Sequence, residues 1–237
     1  MARIYHSWHG HEATPPFAND YSFYESSIWR MTGATCLANV APGDSWALSM
    51  WIKTSVAFAT ELPFLTMVST PGAGYWRLRF APTYIYFDHL VQFGGNLRNR
   101  IITSYGINDN TWHHVAVIAN SYTYDFADVD LYIDGLAVGS KFTQITPASL
   151  PWSATGDAEI LASSKSGEIY LDEWAFFDYA PAIADLYNGG TPGNLDLLPT
   201  SPLNWLRGEN NLTDSGTLAD TITQVSTNPP IYSTDVP

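Results

Sequence analysis

The chain has one cysteine and few basic residues, and these shortages exclude several classes of protein. Cys36 is alone among 237 residues, so the chain cannot form an internal disulfide, and we expect a buried structural thiol. Only three of the ten basic residues are lysines, and the formal net charge is −13. Proteins that bind a nucleic-acid backbone present clustered lysine and arginine, so we expect no nucleic-acid binding.

The sequence also lacks a long apolar run. No stretch approaches the roughly 20 apolar residues of a transmembrane helix, so we expect no membrane span. The first residues, MARIYHSWHGHEATPPF, do not contain the apolar centre of a secretory signal peptide. The sequence therefore predicts a chain that is made and retained in a cytoplasm, or assembled there into something larger.

Apolar and aromatic residues are abundant and follow β patterns. Hydrophobic residues make up 46% of the chain and aromatic residues 14%, which is ample for the core of one large β domain. Apolar and polar residues alternate at period two in Val129–Ile133, which predicts a half-buried strand. Asp134-Gly135 follows, and this dipeptide is typical of a tight hairpin turn because both central residues need a positive φ. We therefore predict an antiparallel hairpin that returns along residues 136–139.

The remaining sequence divides into one domain and two arms. Residues 1–18 are predicted to be an N-terminal arm, 19–190 a β-sandwich, and 191–237 an extended tail rich in proline, threonine and asparagine. Pro181–Asn188 is predicted to be a short helix because it begins with proline and stops before glycine. Further strands are predicted at Tyr21–Tyr24, Ser27–Met31, Ala47–Lys53, Phe64–Ser69, Tyr75–Ala81, Tyr84–Asp88, Ile101–Ser104, Trp112–Ala119, Ile160–Ser163 and Ile169–Phe177.

Three motifs resemble those of the laminin-G-like, concanavalin A-like family. They are the Trp-His-His-Val strand and Asp-Gly hairpin within Trp112–Ser140, the early strand WALSMWIKT at Trp46–Thr54, and a closing strand and helix within Gly167–Gly190. The resemblance implies an all-β fold, an antiparallel jelly-roll β-sandwich with one short C-terminal helix and extended terminal arms. Sandwiches of this kind are found in bacteriophage structural proteins.

The same resemblance raises the question of catalysis. Glycosidases with this sandwich fold carry the motif Glu-x-Asp-x-(x)-Glu on one strand. The alternate acids of this motif flank the scissile bond. This chain lacks that pattern, and its nearest counterpart, Glu168 to Glu173, has the wrong spacing. His113 and His114 are adjacent on a strand and point to opposite faces, so they cannot share a proton or an ion. We therefore predict no catalytic residues and no enzyme.

Asp172 is the candidate metal ligand. On a regular strand it would share a face with Tyr170, Trp174 and Phe176 while Glu173 takes the other face, so one acid would point toward an apolar layer. In relatives the matching Asp-Glu strand contributes to a structural calcium site, and the resemblance thus implies calcium at Asp172. The alternative is a carboxylate that accepts hydrogen bonds from loop N–H groups without a metal. The sequence leaves both open.

Aromatic side chains are the candidate binding residues, because tryptophan and tyrosine stack on sugar rings and anchor protein interfaces. The candidates are Trp76, Tyr84, Tyr86, Tyr122 and Tyr124.

Two functions remain. The first is a structural or interaction protein, a virion component such as a bacteriophage capsid-decoration, tail or fibre protein, made in the host cytoplasm and bound to other subunits as a homo-oligomer. The alternative is a glycan-binding, lectin-like module, with or without bound calcium, that acts outside the cell or at its surface.

Overall fold

The computed structural model describes residues 19–20, 22–25, 31–35, 43–55, 62–68, 75–81, 83–92, 96–121, 128–142, 158–160, 169–209, 211–224 and 231–237. Within these residues the chain forms sixteen strands, all paired antiparallel, and one short α-helix, α1, at Ile183–Tyr187. The strands are β1 (Ser22–Glu25), β2 (Met31–Ala34), β3 (Trp46–Thr54), β4 (Leu62–Val68), β5 (Tyr75–Phe80), β6 (Ile85–Gln92), β7 (Asn96–Thr103), β8 (Trp112–Ala119), β9 (Val129–Ile133), β10 (Leu136–Val138), β11 (Ser140–Phe142), β12 (Ala158–Ile160), β13 (Ile169–Phe177), β14 (Asn204–Leu206), β15 (Thr223–Gln224) and β16 (Ile231–Ser233).

The strands form two eight-stranded sheets. Sheet A has the order β10-β9-β8-β3-β13-β1-β16, and β14 also pairs with β13. Sheet B has the order β11-β7-β6-β5-β4-β12-β2-β15. The predicted all-β sandwich with one short helix is confirmed.

The core between the sheets follows from alternation along the strands. In β9 the apolar positions are buried and the polar ones are partly exposed, as the period-two pattern predicts. Trp46 of sheet A stacks on Trp76 of sheet B with ring centroids 4.6 Å apart, which ties the two sheets together at the centre.

The hairpin turn between β9 and β10 is the tight turn that Asp-Gly predicts. Ile133 pairs with Leu136, and the two turn residues between them, Asp134 and Gly135, have φ angles of 51° and 77°. A Cβ atom on Gly135 would lie 2.7 Å from Cδ1 of Tyr187, at the end of α1. Glycine is therefore needed here both for the positive φ and for the close approach of the helix.

A second apolar layer covers the outer face of sheet A. Ala116 and Ile118 of β8 lie in a buried cluster with Leu186 of α1, Leu195 and Trp205. The sequence shows both faces of β8 to be largely apolar, and this layer is the reason, since one face meets sheet B and the other meets the helix.

Strand β13 departs from its predicted regular alternation. The pairing of β13 with β3 shifts between Asp172 and Ala175, and Glu173 has a φ of 50°. This β-bulge returns Trp174 to the core side that Leu171 occupies. The prediction that Asp172 shares a face with Trp174 and Phe176 is therefore wrong, because the bulge inserts one extra residue.

The C-terminal segment is part of the sandwich rather than an extended tail. Its described strands complete both sheets, since β14 pairs with β13, β16 with β1, and β15 with β2. Trp205 and Leu206 are fully buried. The predicted boundary at Gly190 thus does not mark the end of the packed domain, while the predicted arm at 1–18 lies outside the described residues.

No α-helix in the described parts of the chain is long and apolar enough to cross a bilayer.

Candidate functional site

The acids Asp172 and Glu173 lie in a notch of sheet A where β13 changes its partner. Before the bulge β13 pairs with β1, and after it with β14. The side chain of Asp172 is fully buried and that of Glu173 is 3% exposed. The bulge therefore buries both acids, where a regular strand would bury one.

Few donors satisfy these carboxylates. The Nδ2 amide of Asn19 donates to Asp172 Oδ2 at 3.0 Å, and the backbone N–H of Glu173 donates to Asp172 Oδ1 at 2.9 Å. Trp205 donates its indole N–H to Glu173 Oε2, and Arg207 Nε lies 3.9 Å from Glu173 Oε1. Burial raises the pKa of Asp172 well above its ordinary value, and burial followed by the nearby Asp172 charge does the same for Glu173.

Calcium fits this notch only in part. The described residues hold no group of three or more His, Cys, Asp or Glu side chains arranged for a metal. The oxygens Asn19 Oδ1 and Glu173 Oε1 are buried and accept no hydrogen bond there, which suits a cation that prefers oxygen ligands. Both oxygens of Asp172, however, already accept hydrogen bonds. Calcium at Asp172 therefore stays a prediction, beside the metal-free alternative.

A second titratable cluster centres on His113, at the start of β8. His113 Nδ1 lies 2.8 Å from Asp134 Oδ2, and His113 Nε2 lies 3.1 Å from Asp109 Oδ1. The hydroxyl of Tyr105 donates to Asp134 Oδ2 at 3.3 Å. We call these four residues the His113 cluster. It links β8, the β9–β10 turn and the loop that precedes β8.

The ionised forms support one another in the His113 cluster. The hydrogen bond with Asp134 raises the pKa of His113, although burial opposes it. Hydrogen bonding to Thr111 is the main cause that lowers the pKa of Asp109 to about 2. Burial alone would raise the pKa of Asp134, but hydrogen bonds from His113 and the backbone N–H of His114 bring it below the ordinary value.

His114 faces the other way, as predicted for adjacent residues on a strand. Its Nε2 lies 2.8 Å from Ser49 Oγ, and its ring packs against Trp51 and Tyr187 under α1. Burial lowers the pKa of His114 to about 4, so it is neutral at neutral pH. The two imidazole rings therefore contact different side chains, Ser49 for His114 and Asp109 and Asp134 for His113.

Two of the candidate binding aromatics are buried, so their assignment to a binding surface is wrong. Trp76 is 1% exposed because its position on β5 faces the core. Tyr86 is 2% exposed because the guanidinium groups of Arg79 and Arg100 lie over its ring, 4.6 and 4.2 Å from the centroid. Tyr122 and Tyr124 lie outside the described residues.

Tyr84 is exposed and lines a pocket. The side chain is 47% exposed, and Tyr105, on the opposite loop, is 37% exposed. Between residues 80–85 and 104–108 the structure has a cavity of about 300 Å³ that both tyrosines line. The sequence did not single out Tyr105, since nothing local distinguishes a loop tyrosine beside a pocket from any other.

The edge strands β10 and β11 form a second exposed feature, which we call the edge surface. Among the described strands, β10 ends sheet A and β11 ends sheet B on the same flank. Leu136 on β10 is 66% exposed and Phe142 on β11 is 55% exposed. Gly139, with a φ of 93°, joins the two strands where a Cβ atom would lie 2.8 Å from the carbonyl oxygen of Ile102.

The fold and these motifs agree with a known family. Residues 32–182 match Laminin_G_3, described as the Concanavalin A-like lectin/glucanases superfamily. The match covers more than half of the chain, so the chain belongs to this family, as its motifs predict. No curated protein matches the sequence.

Solved structures share the fold at low sequence identity. The receptor binding domain of botulinum neurotoxin C/D mosaic serotype has a TM-score of 0.52 and 14% identity, over 71% of this chain and 42% of that one. The HCR/D F1240A mutant has a TM-score of 0.52 and 16% identity, over 77% of this chain and 46% of that one. The chain thus spans less than half the length of these structures, and identities this low show a common fold alone.

Proposed function

We propose that the protein is a non-enzymatic interaction protein that acts as a structural subunit of a bacteriophage virion, in a capsid-decoration, tail or fibre position. The observation that carries this proposal is the edge surface, where two sheets end on one flank and expose Leu136 and Phe142. Open strand edges with exposed apolar side chains are ready sites for another chain to add to.

The charge of the edge surface also supports contact between copies. A chain of net charge −13 repels its own copies over most of its surface. On this flank Lys141 Nζ lies 2.9 Å from Asp130 Oδ1, so the two charges balance locally. Two copies that meet at this flank would therefore repel each other less there than elsewhere, which favours a homo-oligomer.

The burial of the acid pair supports the non-enzymatic part of the proposal. Asp172 and Glu173 are the described acids closest to the glycosidase pattern, and neither side chain is accessible to a polysaccharide. Retaining and inverting glycosidases both need two carboxyl groups that flank the scissile bond in an open cleft.

Lysine substitutions on the edge surface test the assembly proposal. Lysine on an edge strand blocks strand addition. We expect the double variant Leu136→Lys, Phe142→Lys to remain folded and to lose the oligomer that the unmodified chain forms, as measured by analytical ultracentrifugation. The matched control is Leu197→Lys, which changes a side chain that is 74% exposed on a short 3-10 turn away from this flank. A double variant that assembles like the control would contradict the role of the edge surface.

A second candidate function is favoured by the Tyr84–Tyr105 pocket. Two exposed tyrosines around a small cavity suit a lectin-like site, since aromatic rings stack on sugars. Such a module would act outside the cell or at its surface. Binding to a glycan array that Tyr84→Ala removes, and that the Leu136→Lys, Phe142→Lys variant keeps, would favour this function.

A further inference from the structure

The wall of the Tyr84–Tyr105 pocket is connected to a titratable group. Tyr105 lines the pocket, and its hydroxyl donates to Asp134, which also lies 2.8 Å from His113 Nδ1. The Tyr105 and His113 rings also meet edge to face, with centroids 6.2 Å apart and an interplanar angle of 82°. The position of an exposed pocket residue thus depends on a largely buried histidine.

The geometry around His113 suits a ring that carries two protons. The ring nitrogens face two carboxylates, Asp134 at 2.8 Å and Asp109 at 3.1 Å. A neutral imidazole has one N–H donor and one lone pair, whereas the imidazolium donates from both nitrogens. When His113 loses its proton, one nitrogen must face a carboxylate with a lone pair, and that contact becomes repulsive.

The contact to Asp109 is the one that deprotonation weakens most. Thr111 Oγ1 lies 3.1 Å from His113 Nε2 and donates to Asp109 Oδ1 at 2.7 Å. This hydroxyl is placed to turn toward a neutral Nε2, which would release Asp109 from the ring. Asp134, by contrast, is also fixed by the backbone N–H of His114 at 3.0 Å. Loss of the proton therefore removes one side-chain contact between the loop that carries Tyr105 and the start of β8.

We propose that His113 is a positioning residue for the pocket. It fixes Tyr105 through Asp134, and through Asp109 it holds the loop that carries Tyr105 only while its ring carries two protons. The inference rests on the second proposed function, ligand binding at the pocket, and names its regulation. Among the described residues, the titratable groups that face His113 are Asp109, Asp134 and Tyr105. The pocket wall is thus ordered at mildly acidic pH and loosens as the pH rises.

The test needs no ligand and reads the tyrosine ring directly. In protein labelled with ¹³C-tyrosine, the Tyr105 ring resonance is assigned with Tyr105→Phe and followed by NMR from about pH 5 to about pH 9, a range that spans histidine titration. We expect it to shift with a midpoint above 6.5, the ordinary histidine value. The Tyr84 resonance, from the opposite wall, is the internal control and should move less.

Two variants separate positioning from a general effect on the fold. His113→Gln keeps a polar side chain that cannot become charged, and it should abolish the shift of Tyr105. Asp109→Asn removes one carboxylate at an exposed position and should lower the midpoint toward 6.5. A Tyr105 resonance that stays constant while His113 titrates would overturn the inference. That result would not contradict ligand binding at the pocket. Conversely, a glycan array without binding would contradict the ligand-binding function but not the titration of Tyr105.

Discussion

Two pairs of carboxylates in this chain differ in how the fold satisfies them. Asp172 and Glu173 are buried side by side in the notch of sheet A, where amide and indole N–H groups are their hydrogen-bond donors. Asp109 and Asp134 lie on either side of the His113 ring. Burial raises the pKa of the first pair, while hydrogen bonds and the imidazole lower the pKa of the second.

The difference shows that the direction of the pKa shift depends on whether nearby donors outweigh burial, chiefly Thr111 at Asp109 and His113 at Asp134. At the notch Arg207 is 3.9 Å from Glu173, too far for a hydrogen bond, and burial dominates. At the His113 cluster both carboxylates contact the ring directly. At Asp134 the hydrogen bonds lower the pKa by more than burial raises it. The notch is therefore suited to bind a proton or a cation, and the His113 cluster to hold a loop in place.

The largest expected effect comes from breaking the turn that carries Asp134. Gly135→Val imposes a positive φ on a β-branched residue and drives its Cβ into Tyr187, so we expect a loss of about 3 kcal/mol in the free energy of unfolding. Gly189→Val is the matched control, since Gly189 has a φ of 67° and nothing within 4 Å of an added Cβ. Urea denaturation measures both. An unchanged midpoint for Gly135→Val would contradict the assigned turn.

This turn belongs to the part of the fold that the sequence predicts well. The bounds of β8, β9 and β13 agree with the predicted strands because period-two alternation is a local signal. The short strands β14 and β16 were missed, since three residues cannot establish a period and their pairing with β13 and β1 is non-local.

The candidate sites, like the strands, were predicted from the sequence only in part. Tyr84 was predicted and lies at a pocket, whereas the His113 cluster was missed because Asp134, its central carboxylate, comes from a turn 21 residues after His113 and meets it only in the fold. The bulge at Glu173 was missed because no glycine marks it, and the positive φ falls on a residue that rarely adopts one.

Calcium would supply the notch with a cation in direct contact with its carboxylates. If Asp172 binds the ion, a concentration of about 100 times the dissociation constant should stabilise the fold by about 2.7 kcal/mol, by linkage. Asp172→Ala should abolish this gain, and Asp109→Asn, at the other pair, should keep it. Melting temperatures in calcium and in chelator measure the effect. If the melting temperature of the wild-type chain is the same in calcium and in chelator, Asp172 is a metal-free hydrogen-bond acceptor.

Removing one charge from the His113 cluster should destabilise the fold. Asp134→Asn suits the turn, because asparagine tolerates a positive φ, but it replaces an ionic hydrogen bond with a neutral one. We expect a loss of about 1–2 kcal/mol at mildly acidic pH, where His113 is protonated. Because the folded pKa of His113 is raised above 6.5, its contribution is complete below that pH and disappears as the pH rises through the folded value. A loss that does not shrink at higher pH would show that the imidazolium is not its source.

Replacing a carboxylate by an amide at the notch should instead raise the stability of the fold. Glu173→Gln keeps an oxygen that can accept from the Trp205 indole but cannot ionise. Since the folded pKa of Glu173 is raised above 4.5, wild-type stability should fall as the pH rises from 4.5 through the folded value, and the variant should escape this loss. In chelator at neutral pH we therefore expect Glu173→Gln to be more stable than the wild-type chain. Asp178→Asn, which removes a charge from an exposed acid, controls for the change in net charge. Lower stability of Glu173→Gln under these conditions would mean that Arg207 stabilises the ionised carboxylate more than burial opposes it, and the contrast between the two acid pairs would then fail.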